Sequence, residues 1–449
     1  MTNTEDRLAD ALQAKAHSVR EESLRPLAVP RRAPRRLARV LAPAAAAAAV
    51  ALIAVFAVIL PSARPVPLGA SGPIAYVVGF TTPRTGPGAS QGWITPVDTG
   101  TGVAGKPIGI GPEPIAIAVA PGGRTIYVLH QVPGELIPVS TATGKAGRPI
   151  GGSWTDQGVM AMAPNGRTIY VLSRAPAGVI PVDIATNTAG KPIRVGSIPT
   201  GIAITPDGRT AYVVSAGSGT VTPVDLATHT AGTPIKAGKF PLNIVITPSG
   251  KTAYVGYTQV SVSGRPSKSN AVIPVNTTTN TAGRPIWAGK DVSGLVITPS
   301  GKTLYVVNTD SGTVTPVDTA TNTAGKPIAI GSNPGLVAIA PDGRTAYALS
   351  GGILFLEGAN PAGPGFVIPV DTATNTVGKA IRVTAPIGIA FTPDGKTAYV
   401  TSAPSRPGAD GTVTPIDTAA NTAGAPIAVK GQPQAIVIAP LGRNAATSS

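Results

Sequence analysis

The 449-residue chain has no cysteine, only three histidines, and aromatic residues at just 4% of its length. Without cysteine there is no disulfide, no thiolate metal site, no thiol nucleophile and no lipobox for lipid attachment. His17, His130 and His229 lie far apart, with no pair at metal-ligand spacing, and each is expected to be solvated. Neither a metal nor a cofactor is expected. Charge is sparse at 13%, but Lys and Arg outnumber Asp and Glu by 36 to 21, for a formal net charge of +15. A basic chain so poor in aromatics lacks the stacking residues of a single-strand binder, so no nucleic acid is expected as partner. Val139-Ser140 replaces a recurring Val-Asp, but no nucleophile elbow or nearby base accompanies the serine.

The chain does contain a pattern repeated about every 42 residues from Ile74 onward. Its clearest copy runs from Ile202 through Thr-Pro-Asp-Gly-Arg-Thr-Ala-Tyr-Val-Val, then Gly219-Thr-Val-Thr-Pro-Val-Asp, then Ala227 to Ile235. Each copy reads as four apolar strands, A to D, separated by turn chemistry. Pro-Asp-Gly closes A to B, where glycine supplies the positive φ of a tight hairpin. Thr-Asn-Thr-Ala-Gly joins C to D. Such a repeat is the signature of a β-propeller with one blade per copy. The 54 glycines and 47 prolines fall at its turns and edges, so they do not signal disorder.

Eight of the nine tyrosines share one register in strand B: Tyr76, Tyr127, Tyr170, Tyr212, Tyr254, Tyr305, Tyr347 and Tyr399, with Tyr257 the exception. One aromatic per blade is expected to pack between blades with its hydroxyl at a polar edge. A proline series in strand D, from Pro107 to Pro426, suits an outer edge. A second series in strand C, from Pro96 to Pro415, falls on an inner strand, where a bulge or an unpaired position is expected.

Complete units start near residues 115, 159, 202, 244, 295, 337 and 389. Residues 74–110 supply strands B, C and D without an A, and residues 435–440 supply a lone A. The fragments complete one another, which predicts an all-β, eight-bladed propeller closed by a composite blade. Pro393-Asp-Gly-Lys-Thr-Ala-Tyr-Val400 and Val317-Asp-Thr-Ala-Thr-Asn-Thr323, recurring in phase over residues 74–440, resemble the YVTN-repeat (YncE-like) family of bacterial β-propellers. Seven blades are common in that family, so seven is the alternative count and eight a departure.

Ahead of the repeats, five arginines between residues 31 and 39 precede Val40–Leu60, an uncharged stretch long enough to span a bilayer as a helix. The expected organisation is a basic cytoplasmic segment (1–39), a single transmembrane signal-anchor helix (40–61), a Pro/Gly-rich linker (62–73), the propeller (74–440) and a tail (441–449). The positive flank places the propeller outside the cell membrane; cleavage after Leu68-Gly69-Ala70 would instead release it as a secreted protein.

In a propeller the A–B and C–D turns share one face, and the B–C loops and D–A links share the other. The first is expected to carry a basic ring of Arg124, Arg167, Arg209, Lys251, Lys302, Arg344 and Lys396. Such a field suits an anionic lipid surface or a cell-wall polymer, though plain copying of a soluble turn is the stronger account of it. The second face varies between blades, as binding faces of repeat proteins do. Its insertions offer Arg84, Trp93, Phe355, Glu357, Arg406 and Asp410 as ligand-binding candidates. The D–A links add Glu113, Trp154, Asp156, Phe240, Asn243, Asp291 and Asn333 around the channel mouth. The expected function is a non-enzymatic binding or scaffold module whose partner is a wall polymer, an anionic lipid surface or another surface protein. A transmembrane sensor is one alternative. A lactonase-like hydrolase, with Glu113, Asp156 and Asp291 as carboxylates, is the other.

Overall fold

The computed structural model describes residues 72–81, 90–131, 134–151, 155–257, 271–290, 292–332, 334–351, 365–404, 406 and 408–439. Every regular element among them is a β-strand, and none is a helix able to cross a membrane. The expected anchor at 40–61 lies outside the described residues, as do the basic segment, most of the linker and the tail.

Eight separate sheets are present. In blades 1 to 7 strand A begins at Pro114, Thr155, Pro199, Pro241, Val292, Pro334 and Pro386, and each blade is an antiparallel A-B-C-D meander. Blade 8 combines both ends of the described chain. Gln432–Ala439 supplies its A strand, Ile74–Thr81 its B, and Gln91–Asp98 its C, with Ile74 opposite Ala439. The A strands touch in cyclic order, and that of blade 8 packs against those of blades 7 and 1. The count is therefore eight, with the composite closure expected from the repeats.

There is no single central core. Eight apolar clusters are present, each shared by two neighbouring blades and together covering every junction of the ring. A blade covered on both faces needs apolar side chains on both sides of its strands, which explains near-continuous runs such as Ala211 to Val214, all buried.

Of the two forms expected for the prolines of strand C, the structure has the unpaired position and not the bulge. Strand C pairs with B without a register shift, so there is no bulge: Pro223 lies opposite Tyr212 in an unbroken ladder. The interruption is in strand D, which is split into Thr230–Ala231 and Ile235–Lys236. In a strand the nitrogen and carbonyl of one residue point to the same side. The Pro223 carbonyl accepts from the Gly232 N–H at 2.7 Å, so its missing donor also faces D. Strand D bows away there, and no N–H is lost from the inner ladder. Every blade repeats this bond, from Gly105 to Pro96 through Gly424 to Pro415.

Candidate functional site

The two faces of the ring differ in how far their polar groups are already committed. On the turn face, the aspartate ending strand C accepts from its own turn. Asp318 Oδ1 takes the N–H groups of Ala320 at 2.9 Å and Thr321 at 2.8 Å, plus the Thr321 hydroxyl. Asp183, Asp225 and Asp371 do likewise. Backbone donors hold the carboxyls of Asp183, Asp225, Asp318 and Asp371 below their ordinary range. Where a threonine follows that aspartate, it ties the C–D turn to the A–B turn, as Thr418 does by donating to the Gly395 carbonyl at 2.7 Å.

The tyrosine register connects blade to blade. Tyr212 donates to Asn280 Oδ1 of the next blade at 2.6 Å, Tyr254 to Asn322 at 2.7 Å, Tyr305 to Asn375 at 2.7 Å and Tyr347 to Asn421 at 2.8 Å. Each of these asparagines has φ between 51° and 56°, a left-handed geometry asparagine tolerates well. Tyr399 closes the ring by donating to the Thr99 carbonyl of blade 8 at 3.1 Å. His229 replaces the asparagine in blade 3, with Nε2 at 3.4 Å from the Tyr170 hydroxyl. It is part of this latch as well as exposed. The seven cations of the basic ring are exposed around this framework.

His130 is a correction. It is fully buried, not solvated, and its Nδ1 lies at 2.5 Å from the Pro112 carbonyl. Burial lowers its pKa. It belongs to a series at the end of strand B, opposite the first residues of strand A, which supports the D–A links. Asn308 Nδ2 donates to the Ala288 carbonyl at 2.9 Å, Ser350 Oγ to the Ser332 carbonyl at 2.8 Å, and the Tyr257 ring lies directly under Gly238. Tyr257, outside the register of the other eight, is thus a link support.

On the looped face several candidates take part in bonds of the fold itself. Asn243 is buried, and its amide donates to the Ser293 carbonyl of the next blade at 3.0 Å. Trp93 is half-buried over Gly109, its indole N–H reaching Thr81 Oγ1 at 3.5 Å. Asp410 pins the link into blade 8, accepting from Gly431 N at 2.9 Å and lying 3.3 Å from Lys430. Arg406 and Glu113 are exposed, the latter at φ 48°. Asp156 lies in the A strand of blade 2, where only its backbone is described. Arg84, Trp154, Asp291, Asn333, Phe355 and Glu357 lie outside the described residues. Blades 6, 7 and 8 adjoin in the ring, as their inserted loops require for a common sector.

A second sector stands out in blades 2 to 4. Phe240 and Ile198 precede the prolines that open neighbouring A strands, at φ 50° and 53°, and are 37% and 39% exposed. Left-handed backbone is an outlier for a β-branched residue, and such strain persists only where its surroundings enforce it. Here Thr200 fastens the two links by donating to the Pro241 carbonyl at 3.0 Å. Trp287, next to the Val272–Ile286 bridge at the outer edge of blade 4, is 59% exposed. Arg194, Lys236, Lys239 and Lys290, each within four residues of one of these three along the chain, are exposed. Phe240 was legible from sequence; Ile198 and Trp287 were missed, though the Gly-x-x-Pro links and the variable position after Pro-Ile marked both places. Among the described residues no group of three His, Cys, Asp or Glu side chains gathers as metal ligands.

No family model matches the chain, and no curated protein matches it. Solved structures do. The chain is similar to dihydro-heme d1 dehydrogenase NirN in complex with DHE, with a TM-score of 0.65 at 12% identity over 84% of this chain and 77% of that one. It is also similar to Kuenenia stuttgartiensis hydrazine synthase, with a TM-score of 0.48 at 24% identity over 62% of this chain and 87% of that one. A functionally unknown protein from Desulfotomaculum acetoxidans gives 0.48 at 14% identity, over 78% and 96%. The likeness to NirN shows the propeller fold and nothing finer.

Proposed function

We propose that this chain is a membrane-anchored, extracytoplasmic binding module of the YVTN-repeat kind, not an enzyme, which takes an anionic partner at the cell surface through its looped face. The uncharged stretch 40–60 and its arginine flank support the anchor. One observation carries the choice of face. Turn-face aspartates, asparagines and tyrosines are engaged in the same bonds blade after blade, whereas among the described residues Ile198, Phe240 and Trp287 put three exposed large apolar side chains at the looped end of blades 2 to 4; the other two, Val103 and Val377, stand singly beside the C–D turns of blades 8 and 6. Large apolar groups flanked by Arg194, Lys236, Lys239 and Lys290 suit a partner that is acidic and partly apolar, such as a surface protein or a wall polymer.

The test is binding of residues 71–449 to isolated cell wall and to a glycan panel at low and physiological salt. We expect retention that Phe240→Ser with Lys239→Gln weakens about tenfold, corresponding to about 1.4 kcal/mol. Binding that ignores these substitutions and tracks the turn-face cations alone would assign the partner to the other face.

A further inference from the structure

The place where the chain enters the ring fixes which face a tether would hold toward the membrane. Ile74 opens strand B of blade 8 opposite Asp98, as Thr210 opens strand B of blade 3 opposite Asp225, so the chain arrives at the turn end of the blade. Pro73 stands where other blades have their A–B turn. Its carbonyl accepts from Thr99 twice, from N–H at 3.0 Å and from Oγ1 at 2.6 Å. In blade 1 the equivalent Thr141 donates its N–H to the Arg124 carbonyl and its hydroxyl to the Gly123 carbonyl, both in the A–B turn. Ala439, opposite Ile74, leaves at the same end. The tether site is therefore surrounded by the turns that carry the basic ring.

Resting on the membrane-anchored reading above, we propose that the turn face lies against the anionic headgroups of the anchoring bilayer and the looped face points away from it. Geometry and charge agree on this. About a dozen linker residues reach at most about 40 Å when fully extended. Turning the ring over would take the linker past two strands of the sheet, about 10 Å, and along a six-residue strand, about 20 Å, which uses most of that reach. The A–B and C–D turns together hold fourteen Lys and Arg against nine Asp. Most of those aspartates spend a carboxylate oxygen on turn N–H groups, as Asp207 does with Arg209 N at 3.0 Å and Asp394 with Lys396 N at 3.1 Å. Exposed Lys and Arg close to an anionic leaflet are drawn to it within a Debye length. The sector around Phe240 is then presented to the outside.

The cysteine-free chain allows a direct measurement. Full-length protein carrying one engineered cysteine is labelled with NBD and reconstituted into vesicles containing a lipid with a headgroup nitroxide quencher. Ser249→Cys and Ser300→Cys report the turn face and Ser218→Cys the looped face; all three residues are exposed. In phosphatidylglycerol-containing vesicles we expect several-fold stronger quenching at the two turn positions than at 218. The difference should shrink in pure phosphatidylcholine and in a variant combining Arg167→Gln, Arg209→Gln, Lys251→Gln and Lys302→Gln. Equal quenching at all three sites, or stronger quenching at 218, overturns the orientation. Turn-face quenching unchanged by lipid charge and by the four substitutions overturns the headgroup contact. Failure of the full chain to float with vesicles is a separate result, which removes the anchored reading itself.

Discussion

At the scale of single residues, the link between neighbouring blades is a phenol on a left-handed asparagine, and its two components can be separated. Asn322→Gly keeps the φ of 56° but loses the acceptor for Tyr254, so about 1 kcal/mol of stability should disappear. Asn322→Ala loses the acceptor and must also hold a Cβ in the left-handed region, for about 2 kcal/mol in total. Urea midpoints of the two variants test that order; equal losses would remove the conformational part. The same tyrosines set an alkaline limit. Burial raises Tyr76, Tyr127, Tyr212, Tyr254, Tyr305 and Tyr347 to about 12 from an ordinary 10.0, with nearby aspartates adding to all but Tyr76. The folded protein thus keeps protons that the unfolded chain releases. That stability is complete below pH 10 and declines as pH rises from 10 toward 12. Asp183, Asp225, Asp318 and Asp371 act in the opposite sense: their contribution is present above their ordinary 3.8 and is lost as pH falls below it. Denaturation midpoints across pH should show a plateau with both shoulders. The tyrosine register was visible in sequence because it repeats. Its acceptor was not, because it belongs to the next blade, some 65 residues on for Tyr212 and about 300 back for Tyr399.

At the scale of the strand, the proline pairs explain why D is broken while C is continuous. Gly232 must pass close to Pro223, and a Cβ there would come within 3.2 Å of the proline Cγ. Gly232→Val should therefore cost about 1–3 kcal/mol as an overpacked contact, whereas the same change at exposed Thr233 should be near neutral; denaturant titration of both decides it. The strand C prolines were expected at a bulge or an unpaired position, and the unpaired position is what occurs, opposite the gap in strand D where the other proline series lies. Propensity says only that a donor is missing. Which side of the strand misses it depends on the ladder, and only pairing reveals that. Ile198 escaped notice for a related reason: it looks like an ordinary apolar residue about to enter a strand, and a following proline favours extended backbone, so the positive φ that it and Phe240 adopt ahead of Pro199 and Pro241 belongs to the D–A link and not to the residue type.

For the molecule as a whole, the number of blades and the composite closure were legible because the two chain fragments lacked complementary strands. A binding site on the face away from the turns was not, because the loops that differ between blades carry no shared pattern to read. Removing the closing strand Gln432–Ala439 exposes one side of Ile74–Thr81 and strips two of the eight inter-blade clusters of the side chains that this strand contributes, including Ile436 and Val437. A chain ending at Gly431 should lose its single cooperative unfolding transition and associate through the open edge, which size-exclusion chromatography and a broadened melt would report. The position of Ile74 has a mechanical side as well. It starts a strand bonded along its length to partners on both sides, Gln91–Asp98 and Gln432–Ala439. A force drawn through residue 73 away from the turn face runs along that strand and loads both ladders in shear, all bonds at once. A pull across the strand would open them one at a time like a zipper. Under the anchored arrangement proposed above, drag on the ring would thus be met along its strongest direction of resistance.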